Sequence, residues 1–178
     1  MIQLTNESKN YINKFINKTN VKDSKYYKQL FTYLNSYYTA ELSKYSIKQV
    51  SKKHNIVEYV PSSLVQSIHK LKKYHIVKTD KITMHIYHNI NLDNFIKIAL
   101  TYIQFMYKLS GSTKHMTITY YLINNKKFQK NNILTRDEVN TGVTDLSNIY
   151  IWRLEEVFKT TIHECIHFFE LDYKDTEI

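Results

Sequence analysis

From Ile82 onward the apolar residues switch repeatedly between two periods, and that alternation limits the chain to a sheet packed against helices. Ile82, Met84 and Ile86 alternate with Thr83, His85 and Tyr87, the period-2 spacing of a strand with one buried face. Leu92, Phe95, Ile96, Ala99, Ile103, Met106 and Tyr107 then recur at helical spacing, so a helix is predicted between an N-capping Asn91 and a stop at Gly111. Met116 to Leu122 returns to the β-branched and aromatic composition of a strand. Residues 124–138 read as polar loop, Val139 to Thr144 and Ile149 to Trp152 as short extended segments around a turn, and about Leu154 to Glu170 as a last helix. This order of strand, helix, strand, edge strand and helix predicts an α+β fold with a small mixed sheet.

Residues 1–78 have a different character. Tyr11, Ile12, Phe15 and Ile16 form a short helical face, and Tyr26, Tyr27, Leu30, Phe31, Leu34, Tyr37, Tyr38 and Leu42 extend another over several turns. Ser46 to Val77 accommodates two further helices around Tyr59-Val60-Pro61. Ser46 to Lys53 followed by Ser63 to Ile68 has a faint helix-turn-helix outline, with an interval longer than that motif's turn. Charge divides at the same place. Residues 1–78 hold 14 lysines against 4 acids, whereas residues 79–178 hold 11 basic against 12 acidic residues. The expected organisation is a basic, mainly helical N-terminal region, 1–78, ahead of a compact domain, 79–178. The lysine excess suits weak contact with nucleic acid or another polyanion, or simply a solvated basic surface.

The 43% hydrophobic content excludes wholesale disorder. One cysteine, Cys165, rules out an intrachain disulfide and favours a reducing compartment. The N-terminus turns polar at once, without the apolar core of a secretory signal, and no apolar run approaches a membrane span. The expectation is a cytoplasmic protein, neither secreted nor membrane-associated.

The last predicted helix carries His163-Glu164-Cys165-Ile166-His167, an H-E-x-x-H. Histidines at i and i+4 project from one side of a helix, one turn apart, so both imidazoles can meet a single Zn2+. The intervening glutamate is placed to act as general base toward a zinc-activated water. The context suits this chemistry. Leu154, Val157, Phe158, Thr161, Ile162, Cys165, Ile166 and Phe169 form a continuous apolar stripe. His163 and His167 fall opposite that stripe, with Glu164 at its edge. The two x positions are uncharged, and Cys165 reads as a small buried residue rather than a ligand or nucleophile. An ordinary amphipathic helix with two histidines on its polar face is the alternative.

The zincin metallopeptidases share a mixed sheet with a backing helix and an H-E-x-x-H helix that follows an edge strand, and residues 82–170 resemble that arrangement. More closely, Val139-Asn140-Thr141-Gly142-Val143-Thr144, then Ile149-Tyr150-Ile151-Trp152-Arg153-Leu154-Glu155-Glu156, then the H-E-x-x-H helix ending in Leu171-Asp172-Tyr173, are similar to metallopeptidases encoded by large nucleocytoplasmic DNA viruses. The resemblance covers roughly the last 60 residues. It implies a zinc metalloendopeptidase with Zn2+ on His163 and His167 and Glu164 as catalytic base. It also implies a peptide or protein substrate paired along Val139–Thr144 or Ile149–Trp152. The asparagine, threonine and glycine at 140–142 read equally as a turn or bulge.

A catalytic zinc needs a third protein ligand. The metzincin continuation requires Gly at 170 and His at 173, where this chain has Glu170 and Tyr173. Asp172 is the best local candidate, Glu170 is awkwardly distant from His163, and Asp175 and Glu177 are further candidates. The competing expectation is a truncated or inactive zincin-like scaffold whose basic N-terminal half binds nucleic acid.

Overall fold

The computed structural model describes Thr32, Ser36 and residues 45–51, 56–126 and 139–172. The chain divides into two compact units, Met1–Ser36 and Tyr37–Ile178. Most of the helices expected before residue 45, and the loop expected within 127–138, lie outside the described residues. Thr32 and Ser36 are helical.

In the second unit the strands are β1 (Ser46–Gln49), β2 (Lys73–Lys78), β3 (Ile82–His88), β4 (Met116–Tyr121), β5 (Gly142–Asp145) and β6 (Asn148–Trp152). They form one sheet in the order β1-β2-β3-β4-β6-β5. β3, β4 and β6 run parallel, while β1, β2 and β5 each pair antiparallel with their neighbours. The helices are α1 (Ser62–His69), α2 (Asp93–Ser110) and α3 (Val157–Phe168), the last entered through a 3-10 turn at Leu154–Glu156. The α+β expectation for 79–178 therefore holds as a mixed sheet with helices.

The N-terminal expectation changes. The sequence predicts two helices across 46–77, yet Ser46–Gln49 and Lys73–Lys78 are strands, and among the described residues between them there is one helix, α1. β1 has all four residues exposed, so no buried face marks it in the sequence. Its conformation comes from pairing with β2, from Ser46 opposite Lys78 to Gln49 opposite His75. The helix-turn-helix outline fails for the same reason, because its first helix would have to occupy β1. The charge break at Thr79 falls in the hairpin between β2 and β3, where the Thr79 amide donates to the Ile82 carbonyl at 2.9 Å.

The two faces of the sheet are covered differently. One face presents Met84, Ile86, Met116, Ile118, Tyr120, Ile149 and Ile151 to α2 and α3, which add Phe95, Ile96, Ala99, Ile103, Val157 and Cys165. Full burial of each larger aliphatic side chain is worth roughly 1.5–3 kcal/mol. On the other face Tyr74, Tyr87, Tyr121 and Trp152 pack with Leu64, Ile68 and Leu71 from α1 and the turn after it. Neighbouring rings there stack, with Tyr74 and Tyr87 centroids 4.4 Å apart. α2 begins one residue later than expected, with Leu92 rather than Asn91 at the N-cap; Asn91 Oδ1 still accepts from the Asp93 amide at 2.9 Å, and Gly111 closes the helix at φ 64° as expected.

Two corners set the position of α3. After β6 the backbone turns at Arg153, which is buried with φ 80°, and the Leu154 amide donates to the Ile123 carbonyl at 2.9 Å. At the far end Glu170 takes φ 54°, the Glu170 amide reaches the His167 carbonyl, and the Leu171 amide reaches the Ile166 carbonyl at 3.0 Å. That pair of bonds is a Schellman cap with glutamate where glycine is ordinarily found. Glu170→Gly is therefore expected to raise stability by about 1 kcal/mol, partly offset by loss of the exposed Lys114–Glu170 pair. Urea unfolding would check this, and a loss of stability would mean that the ion pair outweighs the backbone strain.

Candidate metal centre

α3 buries Val157, Thr160, Thr161, Glu164, Cys165 and Phe168, the spacing of one helical face. His163 and His167 lie on its exposed side. Their Nε2 atoms are 3.1 Å apart and their rings stand at 87° to one another. Two nitrogen ligands on a tetrahedral zinc, each roughly 2.0–2.1 Å from it, are separated by about 3.4 Å. The pair therefore has nearly the spacing of one edge of a zinc tetrahedron, and these donors fit the ion.

Another close histidine pair shows what a different role looks like. His75 Nδ1 and His88 Nε2 are 2.8 Å apart, but His88 is only 2% exposed and its Nδ1 donates to the Ile90 carbonyl. Burial lowers the pKa of both rings. Both pairs lie within hydrogen-bond distance, but His75 and His88 lead into the protein, whereas His163 and His167 open onto a cleft.

Glu164 is more buried than an edge position implies, at 6% exposed. The reason is β5. Gly142 pairs with Ile151 and Thr144 with Ile149, so both lie on the sheet face that carries α3. A Cβ at Gly142 would lie 2.6 Å from Thr160 Cγ2 and 2.9 Å from Glu164 Oε1, so the strand approaches the helix this closely only because residue 142 has no side chain. Two residues on, the Thr144 hydroxyl donates to Glu164 Oε2 at 2.8 Å and lies 3.1 Å from the Glu164 carbonyl oxygen. One turn earlier, the buried hydroxyls of Thr141 and Thr160 meet at 3.0 Å.

A cleft of about 520 Å³ lies over the histidines, with Gly142, Thr144 and Leu146 of the β5–β6 hairpin on one side and Lys114 and Glu170 at its rim. A second hollow of about 410 Å³ reaches His163 and Glu164 from beside Thr141, Lys159 and Ile162. Leu146, at the hairpin tip, is 93% exposed with φ 49°.

The expected carboxylate ligands are placed otherwise. Asp172 does come to His167, but its Oδ2 meets Nδ1, on the far side of the ring from the nitrogen that faces His163. It is therefore out of reach of the roughly 2 Å bond that a shared zinc would need. Glu170 Oε1 accepts from Lys114 Nζ at 3.0 Å. Asp175 and Glu177 lie outside the described residues, and among the described residues no three His, Cys, Asp or Glu side chains converge as a metal-binding group. Cys165 faces the core, where burial pushes its thiol up to about 12, so it is unreactive at neutral pH. Of the two segments considered for substrate pairing, β6 is internal to the sheet and β5 ends it among the described residues.

Thr144 carries no sequence signal of its contact with Glu164, and the role of Gly142 is only faintly marked. A usable clue existed: Gly142 is one of two glycines in 178 residues and stands inside an extended segment, a common mark of close backbone approach. Comparison of the chain with protein-family models, curated proteins and solved structures returns no match. Among the described residues no helix is long and apolar enough to cross a membrane.

Proposed function

We propose that the chain is a zinc-dependent metallopeptidase that hydrolyses peptide bonds with Glu164 as general base. The observation that carries this reading is the 3.1 Å approach of His163 and His167 Nε2 on the open side of the helix that also bears Glu164. His163 and His167 would hold the ion through those nitrogens. When bound, zinc supplies Lewis acidity, acidifying water to a pKa of about 7 and polarising a carbonyl. Glu164 takes the proton of the attacking water and passes it to the leaving amine. The Thr144 hydroxyl donates to Oε2, which keeps the carboxylate in one orientation. Among the described residues β5 ends the sheet, and its outer edge is where an extended peptide would pair, in register with the Gly142–Thr144 segment beside Glu164.

Metal analysis of the purified chain beside His163→Ala tests the reading. Wild type is expected to hold one zinc per chain and the variant less than a tenth of that. Wild-type protein that takes up no stoichiometric zinc from zinc-supplemented buffer would remove the basis for the activity.

A further inference from the structure

We propose that Asp172 is a positioning residue for the metal site, holding His167 from behind so that Nε2 is presented toward His163. The inference rests on the zinc reading above and extends it to a residue outside the five-residue motif. A neutral imidazole carries one N–H and one lone pair. The Asp172 carboxylate on Nδ1 draws the proton to that nitrogen, so the lone pair is left on Nε2, the atom 3.1 Å from its counterpart on His163. The same bond restrains rotation of the ring. A carboxylate on the non-coordinating nitrogen is a recurring means of orienting a histidine ligand and raising its basicity.

The backbone explains how a residue five positions along arrives there. A continued helix would carry residue 172 past His167 and away from it. Here α3 ends at Phe168, and Glu170 in the left-handed region reverses the chain. The Leu171 amide closes the turn on the Ile166 carbonyl, which returns Asp172 to the level of His167. Both partners of the bond are about half exposed, with side-chain exposures of 45% and 41%. An exposed pair of this kind contributes little to folding. Its loss is therefore expected to act on the metal site and leave the fold intact.

The test measures zinc affinity of the full chain by competition with a chromophoric chelator, for wild type, Asp172→Ala and Asp172→Asn. It is paired with thermal unfolding of the metal-free proteins and visible spectra of their Co2+ forms. Asp172→Ala is expected to bind zinc 10- to 100-fold more weakly. Asp172→Asn should lose less, because its side-chain oxygen still accepts from Nδ1. Apo unfolding and the Co2+ band positions should match wild type, since no coordinating atom has changed. If wild type binds zinc and both variants bind it equally well, Asp172 has no positioning role although the zinc reading stands. If affinity falls and the Co2+ bands shift, Asp172 coordinates the ion directly and the proposal is overturned. If wild type itself binds no zinc, the zinc reading fails and this inference with it. Should the alanine variant not fold, the asparagine variant decides by the same criteria.

Discussion

Glutamine in place of Glu164 is expected to lower kcat/KM for peptide hydrolysis by roughly 10²- to 10⁴-fold, the usual contribution of a general base, with zinc content unchanged. The substitution is nearly isosteric, and the amide oxygen can still accept the Thr144 hydroxyl that now sits 2.8 Å from Oε2. What is lost is the capacity to take a proton. Glu164 packs between Gly142 and Thr144, so the replacement side chain has little freedom to turn elsewhere. The measurement is a progress curve on a peptide substrate beside zinc per chain for both proteins. Hydrolysis at the wild-type rate by a zinc-replete Glu164→Gln would exclude this residue as the base.

Alanine at Gly142 is expected to lower both stability and activity. Its Cβ would enter space already held by Thr160 Cγ2 at 2.6 Å and Glu164 Oε1 at 2.9 Å. Either β5 moves outward or the helix side chains shift, and overpacking of this kind costs roughly 1–3 kcal/mol. Both responses move Glu164. Misplacement of a reacting group by about 1 Å can cost on the order of 100-fold in rate, so hydrolysis should fall at least tenfold along with stability. Gly111→Ala provides the comparison. A Cβ there meets nothing within 4 Å, and only the φ of 64° is unfavourable. That variant should lose about 1 kcal/mol and keep its kcat/KM. Equal activity in the two variants would show that β5 does not position Glu164.

Readability of the fold followed the range of the interactions. α2 and α3 announce themselves because each has an apolar face repeating at three and four residues. β3 and β4 alternate visibly because the face toward α2 and α3 is strongly apolar. β2 carries Tyr74, Ile76 and Val77 in a strand-like run, but its two lysines and His75 hide the alternation. β1 carries no such pattern at all, since its exposed residues owe their conformation to a ladder with residues 75–78.

The candidate site divides in the same way. His163 and His167 meet because helix geometry brings i and i+4 together, a local consequence that the sequence determined by itself, as it did the burial of Cys165 on the opposite stripe. Tertiary structure alone decided the rest. Sheet register carried Gly142 and Thr144 onto Glu164, across about twenty residues of chain. A left-handed turn at Glu170, a residue type that gives no warning of it, moved Asp172 from a candidate ligand to the back of His167. Local periodicity fixes which residues share a helix face. Contacts between strand and helix, and the direction of a chain reversal, depend on packing that no short window of sequence contains.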